Sequence, residues 1–352
     1  MRITFVLPSW QRRPGGGLKV AYEFANRLSR RGHLIRVAHL DPASSGRLAQ
    51  RLRRRTAFEL WRRGWKAWFR LDRAVATSLA RPDRPEEVPA ADVVVAVGWR
   101  AARFVHRAPR AAGRQNYLVQ GYMAPWEGRP GEIDEVWRLP IRKIVISRAL
   151  EAKVREVCGP GATVARVNNG IDFDTFRVRV PIETRDSERV GMVFHPAPYR
   201  AATEGVAALV LAREKRPSLQ AVVFGIEQPP PSLPAWIDFR LLPPDVAGIY
   251  NECAIFLHTS RAEAWPLPPA EAMACGCALV ATANDGVTEY AQDGQNALIV
   301  PIDDVEAMSN AIVRLVDDRA LRLRLASQGL EDIGAYGWDK SVIRLEEILA
   351  GR

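Results

Sequence analysis

The stretch Glu263-Ala-Trp-Pro-Leu-Pro-Pro-Ala-Glu271-Ala-Met-Ala-Cys-Gly276 decides how the chain is read. Pro266, Pro268 and Pro269 cannot lie inside a helix, but proline fits a helix's first position. The spacing predicts a helix that opens near Pro268 or Pro269, carries Glu271 in its first turn and stops at Gly276. A helix start offers free backbone N–H groups and a partial positive charge, which suit a phosphate. Glu263 stands on the loop before it, and carboxylates accept hydrogen bonds from hydroxyls. A phosphate cradle between two hydroxyl acceptors points to a diphosphate flanked by two sugar rings. The plainer alternative makes Glu271 a complement to the helix dipole and Glu263 a solvated loop residue. The flanks favour the ligand. Ala254-Ile-Phe-Leu-His258 precedes the stretch and Ala278-Leu-Val-Ala281 follows it. Strand, loop, helix and strand in that order place ligands at the C-terminal ends of parallel strands.

Working outward, the chain alternates strands and helices throughout. Strands are expected at 3–7, 34–40, 92–97, 116–120 and 143–146, then at 190–194, 221–224, 239–242, 254–258, 278–281 and 297–300. Helices are expected at 18–31, 203–215, 244–253, 269–275, 305–316 and 320–333. This alternation implies an α/β fold with parallel sheets covered by helices on both faces. A chain of 352 residues suits two domains. The mixed-charge stretch Phe176–Arg189 has no clear period and is expected to be the linker between them.

No run of 18 apolar residues is present, so no spanning helix is expected, and the short apolar start Met1–Leu7 reads as a strand rather than a signal peptide. Cys158, Cys253, Cys275 and Cys277 lack zinc-ligand or disulfide-framework spacing and read as small buried residues. A reducing cytoplasm is the expected setting. The net charge of +10 is concentrated. Residues 47–73 hold ten Arg or Lys against Glu59 and Asp72, a local charge of +8. Phe58, Trp61, Trp65, Trp68 and Phe69 punctuate the same segment, and the spacing of 61, 65, 68 and 69 predicts one helical face. Trp61, Trp65 and Trp68 with Arg54 and Arg62 therefore read as an interfacial helix on an anionic membrane or lipid-linked acceptor. The competing reading is an amphipathic helix packed on the first domain. Nothing in the sequence accompanies the charge with a nucleic-acid motif.

Pro14-Gly15-Gly16-Gly17 lies between the first strand and the first long helix. Three glycines let the backbone approach a ligand. A dinucleotide fingerprint would need glycine at position 20, which is Val20, although Asp41 mimics its ribose-binding acid.

With these elements in place, the chain resembles the retaining nucleotide-sugar glycosyltransferases of family 4. The resemblance runs nearly end to end. It is carried by Gly15-Gly16-Gly17 with Leu28-Ser-Arg-Arg-Gly-His33, by Ser147-Arg-Ala-Leu150, and by Asn169-Gly-Ile-Asp172 with Phe176. Ala197-Pro-Tyr-Arg200, the Glu-x7-Glu block, Glu289 and Asp293-Gly294 follow in order. The resemblance implies the GT-B fold, with two Rossmann-like domains facing across a cleft. The N-terminal, acceptor-side domain would span 1–175 and the nucleotide-sugar-binding domain 176–337. A final helix, 338–352, would cross back to the first.

The family implies roles. Glu271 would hold the nucleotide ribose, and Glu263 the transferred sugar, helped by backbone amides near Pro266 and Leu267. Gly15, Gly16 and Gly17 would touch the diphosphate. No metal or other cofactor is implied, so cationic side chains take up the leaving charge. The family's Arg and Lys after the first strand of the second domain are His195 and Arg200 here, and only Arg200 is a certain cation. Many members carry a His that meets the donor's 6-hydroxyl where this chain has Gln120, which suggests a 6-deoxysugar donor such as dTDP-rhamnose. Acceptor contacts are expected from Trp10, Trp99 and the loop 122–127, Tyr122 included. The acceptor would be a glycan, a lipid-linked sugar or a natural product. The rival from another class is a catalytically silent GT-B module that docks on a membrane as a partner subunit. A GT-B epimerase would need acid–base residues that the sequence does not supply.

Overall fold

The computed structural model describes all residues except 12, 42–47, 63, 65–67, 123–127, 129 and 352, and all but the side chains of 48–51 and 130. The chain folds as two units, Met1–Asn168 with Ser341–Arg352, and Asn169–Lys340.

Unit 1 holds a seven-stranded sheet of order β3-β2-β1-β4-β5-β6-β7. Its strands are β1 Arg2–Leu7, β2 Leu34–Leu40, β3 Ala76–Ala80, β4 Val93–Val97, β5 Arg114–Val119, β6 Arg142–Val145 and β7 Val164–Arg166. Every pairing is parallel. Central β4, Val-Val-Val-Ala-Val, is buried at all five positions, as expected of a strand covered on both faces. Its helices are α1 Gly16–Arg30, α2 Leu48–Arg62, α3 Trp99–His106, α4 Pro130–Arg138 and α5 Arg148–Cys158.

Unit 2 holds a six-stranded parallel sheet, β10-β9-β8-β11-β12-β13. The strands are β8 Arg189–Phe194, β9 Gln220–Gly225, β10 Ile237–Leu241, β11 Ile255–His258, β12 Ala278–Thr282 and β13 Ala297–Val300. The helices are α6 Ala202–Lys215, α7 Val246–Glu252, α8 Leu267–Ala274, α9 Val305–Asp317 and α10 Arg319–Ile333. In each sheet the strand order reverses once, between β1 and β4 and between β8 and β11. Those reversals are where ligands settle in open α/β sheets.

The last helix, α11 Trp338–Ala350, belongs to unit 1 from Ser341 onward. Glu346 accepts bonds from Arg31 Nη2 at 2.5 Å and pairs with His33 Nε2 at 2.8 Å. Arg142 and Arg114 donate to the Ile348 and Leu349 carbonyls, each at 2.7 Å. These two arginines supply donors to carbonyls that a helix end leaves unpaired.

Two expectations about organisation change. The division falls after Asn168 rather than after residue 175, because Ile171 bridges Gly337 and its N–H donates to the Tyr336 carbonyl at 2.8 Å. The stretch 176–189 is not a free linker. Arg185 is 7% exposed and its guanidinium donates to the carbonyls of Cys275 (2.6 Å), Val180 (2.9 Å) and Cys253 (3.2 Å). Asn251 Oδ1 accepts from the Arg179 and Val180 N–H groups at 2.6 and 3.1 Å. One arginine thus satisfies several buried carbonyls that its hydrocarbon replacement would leave orphaned. Arg185→Met should cost about 3 kcal/mol of stability, read as a lower urea midpoint at unchanged slope. A loss well under 1 kcal/mol would mean that those carbonyls find other donors.

Candidate functional site

The reversal in unit 2 brings the ends of β8 and β11 side by side. After β8 the chain runs through His195 into a 3-10 turn, Pro198–Arg200, and then Ala201 at φ +47°. A left-handed alanine is a strained link, held only when its surroundings fix it. Thr259, just after β11, donates its hydroxyl to the Arg200 carbonyl at 2.8 Å. The loop after Thr259 is fixed from a third side. Ser260 O accepts from Thr282 Oγ1 at 2.7 Å and from Asn284 Nδ2 at 3.2 Å. A Cβ on Gly286 would fall 2.6 Å from the Glu263 carbonyl oxygen, so that approach needs glycine.

On this frame Arg200 and Glu263 form an ion pair, with side chains 31% and 12% exposed. Arg200 Nε is buried without a hydrogen-bond partner among the described residues, and so is Nε2 of neighbouring His258. Burial, then the Arg200 charge, pushes the His258 pKa down to about 3, so that ring is neutral. His195 resolves similarly. Its Nδ1 accepts from the Ala197 N–H at 3.1 Å. Burial, then Arg200, lowers its pKa, while Glu227 opposes them. A neutral ring with Nδ1 accepting carries its proton on Nε2. His195 is therefore a hydrogen-bond donor, and of the two residues Arg200 is the cation.

The proline-led helix departs from expectation in two ways. It opens at Leu267, after Pro266 as N-cap, so Glu271 lies in its second turn. Three of the four N–H groups that a helix start normally leaves free are missing, since positions 266, 268 and 269 are prolines. Leu267 supplies the remaining donor. Pro266 offers no amide, and its carbonyl is taken by Tyr290 Oη at 2.7 Å. Glu271 is 6% exposed, and Tyr250 donates its hydroxyl to Oε2 at 3.3 Å. Burial, then the Glu271 charge, raises the Tyr250 pKa, so it stays a donor. Trp265 packs on Tyr290 and Tyr336, with ring centroids 4.9 and 5.8 Å apart. Cys253, Cys275 and Cys277 are buried and burial raises all three thiol pKa values, to about 12 for the first two.

In unit 1, Gly15 precedes α1 as its N-cap, and Gly16 and Gly17 open the helix. A Cβ on Gly17 would fall 2.5 Å from Gln120 Oε1, so glycine lets the glutamine lie against the loop. Gln120 Nε2 is buried without a partner among the described residues. Trp99 opens α3 after Gly98 (φ +83°), with the Arg100 and Arg103 guanidiniums 4.3 and 5.7 Å from its ring centroid. Tyr122 donates to Asp134 Oδ1 at 2.8 Å and packs on Trp137. Most of its expected loop, 123–127, lies outside the described residues, as does Trp65.

The basic aromatic segment is corrected. The helix ends at Arg62, so Trp68 and Phe69 are not on its face. Trp61 is 3% exposed and packs with Trp10, Tyr22 and Phe58. Trp68 Nε1 donates to the Gln11 carbonyl at 2.9 Å. Aromatic rings that fill the core of unit 1 cannot also lie in a bilayer. Arg54 pairs with Asp41 at 2.9 Å and Arg62 with Glu59 at 2.7 Å.

With this geometry in view, residues 236–332 match the family model of the glycosyl transferases group 1. The matched stretch lies within the C-terminal unit. The O-antigen biosynthesis protein RfbC of Myxococcus xanthus is 28% identical over 282 residues, 76% of this chain and 21% of that protein. A D-inositol 3-phosphate glycosyltransferase of Thermomonospora curvata is 31% identical over 31% of this chain and 25% of its own length. The chain thus spans about a fifth to a quarter of these relatives. Among solved structures, Anabaena Alr3699/HepE in complex with UDP and glucose superimposes with a TM-score of 0.79 at 16% identity, over all of both chains. That likeness shows the shared fold, two Rossmann-like parallel-sheet units of the GT-B class.

The His195 ring should stay neutral between about pH 7 and 8.5, because its pKa is lowered. Titration of its imidazole signals by NMR checks this; a protonation midpoint above pH 7 would restore a charged His195.

Proposed function

We propose that this protein is a retaining, metal-independent glycosyltransferase that moves a sugar from a nucleotide diphosphate donor to a hydroxyl of a glycan, lipid-linked or natural-product acceptor. The observation that carries the reading is the Arg200–Glu263 ion pair at the strand reversal of unit 2, with Glu271 on the following helix. The pair presents a cation for a diphosphate and a carboxylate for sugar hydroxyls, and Arg200 Nε and His258 Nε2 have no hydrogen-bond partner among the described residues. The family match over residues 236–332 supports the same class.

In the proposed step the bond between the anomeric carbon and the donor phosphate oxygen loosens toward an oxocarbenium-like state. The acceptor hydroxyl adds to the same face, and the departing phosphate oxygen takes its proton. The products are the glycosylated acceptor and the nucleoside diphosphate. Glu263 grips sugar hydroxyls rather than attacking. Arg200, the Leu267 N–H and the neutral His195 Nε2–H stabilise charge that grows on the leaving group. Glu271, held by Tyr250, binds the ribose. Trp10, Trp99 and Tyr122 belong to the acceptor side in this reading; of these, Trp99 is only partly buried and flanked by cations, whereas Trp10 also packs on Phe58 and Trp61. For the sugar we propose a 6-deoxyhexose such as rhamnose, on the ground that Gln120 replaces the family's histidine. Intact Glu263, Glu271 and Arg200 favour an enzyme over a silent module.

Glu271→Ala should weaken UDP binding roughly tenfold or more, as loss of a buried charged acceptor does. Glu263→Gln should lower kcat by about a hundredfold, the scale of one preorganised electrostatic contact, with UDP affinity nearly kept. Release of sugar from dTDP-rhamnose, UDP-glucose and GDP-mannose, with and without EDTA, checks donor and metal together. Unchanged turnover in both variants sinks the site assignment. Preference for a hexose ends the deoxysugar proposal, and loss of turnover in EDTA ends metal independence. Proton NMR of the first product reads the anomeric outcome.

A membrane contact remains part of the proposal in altered form. No helix among the described residues is long and apolar enough to cross a bilayer. The outward face of α2 instead carries Leu52 and Leu60, 56% and 41% exposed, among exposed Arg53, Arg55 and Arg62. Exposed leucines between arginines suit the surface of an anionic bilayer. Cosedimentation with phosphatidylglycerol vesicles should be strong at low salt and several times weaker in Leu52→Ser/Leu60→Ser. Equal binding by that double variant, or none at low salt, removes this contact.

A further inference from the structure

Arg261 stands two residues before Glu263 and belongs to no motif in the sequence. In the fold it ties three segments together. Its backbone N–H donates to the Tyr199 carbonyl at 2.8 Å. Nη1 donates to the Pro198 carbonyl, and Nη2 pairs with Glu204 in the first turn of α6. Nε meets Asp303, ahead of α9, at 2.9 Å. Asp303 holds a left-handed backbone, φ +64°, so its segment is shaped around this contact. The hydrogen bond that Arg261 donates to Asp303 is the main cause of its raised pKa, with Glu204 adding to it.

The turn so gripped is Pro198–Arg200. It leads through left-handed Ala201 into α6, and a turn of that kind persists only if over-determined. Thr259 holds its far end through the Arg200 carbonyl, and Arg261 holds its start through two carbonyls. Arg200 also lies over the Tyr199 ring at 5.1 Å, so a shift of residue 199 carries the guanidinium with it. We propose that Arg261 is a positioning residue that sets the Arg200 guanidinium opposite Glu263. The inference rests on the glycosyltransferase reading for its consequence in catalysis, and on the hydrogen bonds alone for its consequence in structure.

Lysine keeps one charge at this position but cannot reproduce the fork, which needs several donors in one plane. In Arg261→Lys, kcat for sugar release from the best donor should fall by up to about a hundredfold, the scale of a 1 Å misplacement. UDP affinity, read by calorimetry, should fall by less than kcat, about tenfold at most, because Glu271 and Tyr250 are untouched and only the diphosphate end loses a well-placed cation. Asp303→Asn, which leaves the other ties, should give a smaller kcat loss in the same pattern. Hydrogen exchange supplies a readout without turnover. Amides 199–201 should lose protection in Arg261→Lys while those of α8 keep theirs. A brace for stability alone would lower Tm and leave both kcat and the exchange of 199–201 as in the parent. That result overturns the proposal, as does loss of UDP affinity in step with kcat. If the parent itself releases no sugar from any donor, the enzymatic reading fails, and the exchange of the turn still decides whether Arg261 positions Arg200.

Discussion

The arrangement depends on one ion pair held where the strand order of the second sheet reverses. Arg200 and Glu263 come from the ends of β8 and β11, and neither is well solvated. Two opposite charges about 4 Å apart interact by roughly 4 kcal/mol at the effective dielectric of a protein surface. A ligand that separates them has to return a comparable amount. A diphosphate can replace the carboxylate beside Arg200, and sugar hydroxyls can replace the guanidinium beside Glu263. A molecule with only one of these parts leaves one charge poorly compensated. Under the proposed function the pair would therefore favour compounds in which phosphate and sugar are joined, before any base or sugar is distinguished.

The prolines sharpen this dependence. A helix start usually answers an anion with several backbone N–H groups, yet here Pro266, Pro268 and Pro269 remove all but the Leu267 donor. What they give in exchange is rigidity, since each fixes φ and the chain enters α8 in one direction. Charge must then come from side chains. In the proposed reading Arg200 supplies it, with neutral His195 as a hydrogen-bond donor. The strained turn under Arg200 and its bracing by Thr259 and Arg261 make sense in that light. If one guanidinium replaces a cradle of amides, its placement cannot be left loose.

The sequence made the sheets legible because fully buried parallel strands read as apolar runs. All eleven expected strands are present, and two were missed. Ala76-Thr-Ser-Leu-Ala80 is an edge strand of small residues that reads as the tail of the basic segment, and Val164–Arg166 has only three residues. The Glu-x7-Glu spacing located α8 within two residues, but periodicity cannot say which proline caps a helix. The aromatic residues of 58–69 do not form one helical face, since α2 ends at Arg62, and their partner was misread as well. A stripe of Trp and Phe records burial against something, and here Trp10, Tyr22 and His39 are that something. The roles of Arg185 and Arg261 were out of reach because each depends on carbonyls distant in sequence, and a carbonyl leaves no trace in residue identity.

Arginines recur as the means by which this chain closes its irregular parts. The Arg185 guanidinium gathers the carbonyls of Cys253 and Cys275 ahead of two strands, that of Arg261 the Pro198 carbonyl, and those of Arg114 and Arg142 the carbonyls at the end of α11. Each replaces backbone pairing where regular structure stops. Guanidinium suits this because it has five donors and sheds its hydration more readily than ammonium. The high arginine content is thus partly structural, and the net charge of +10 overstates what is free to meet a partner. The excess along 47–73 is different. Arg53 and Arg55 point outward from α2, beside leucines rather than against carbonyls. Charge that serves the fold and charge that faces outward thus occur side by side along α2, where Arg54 pairs with Asp41 while Arg53 and Arg55 are exposed.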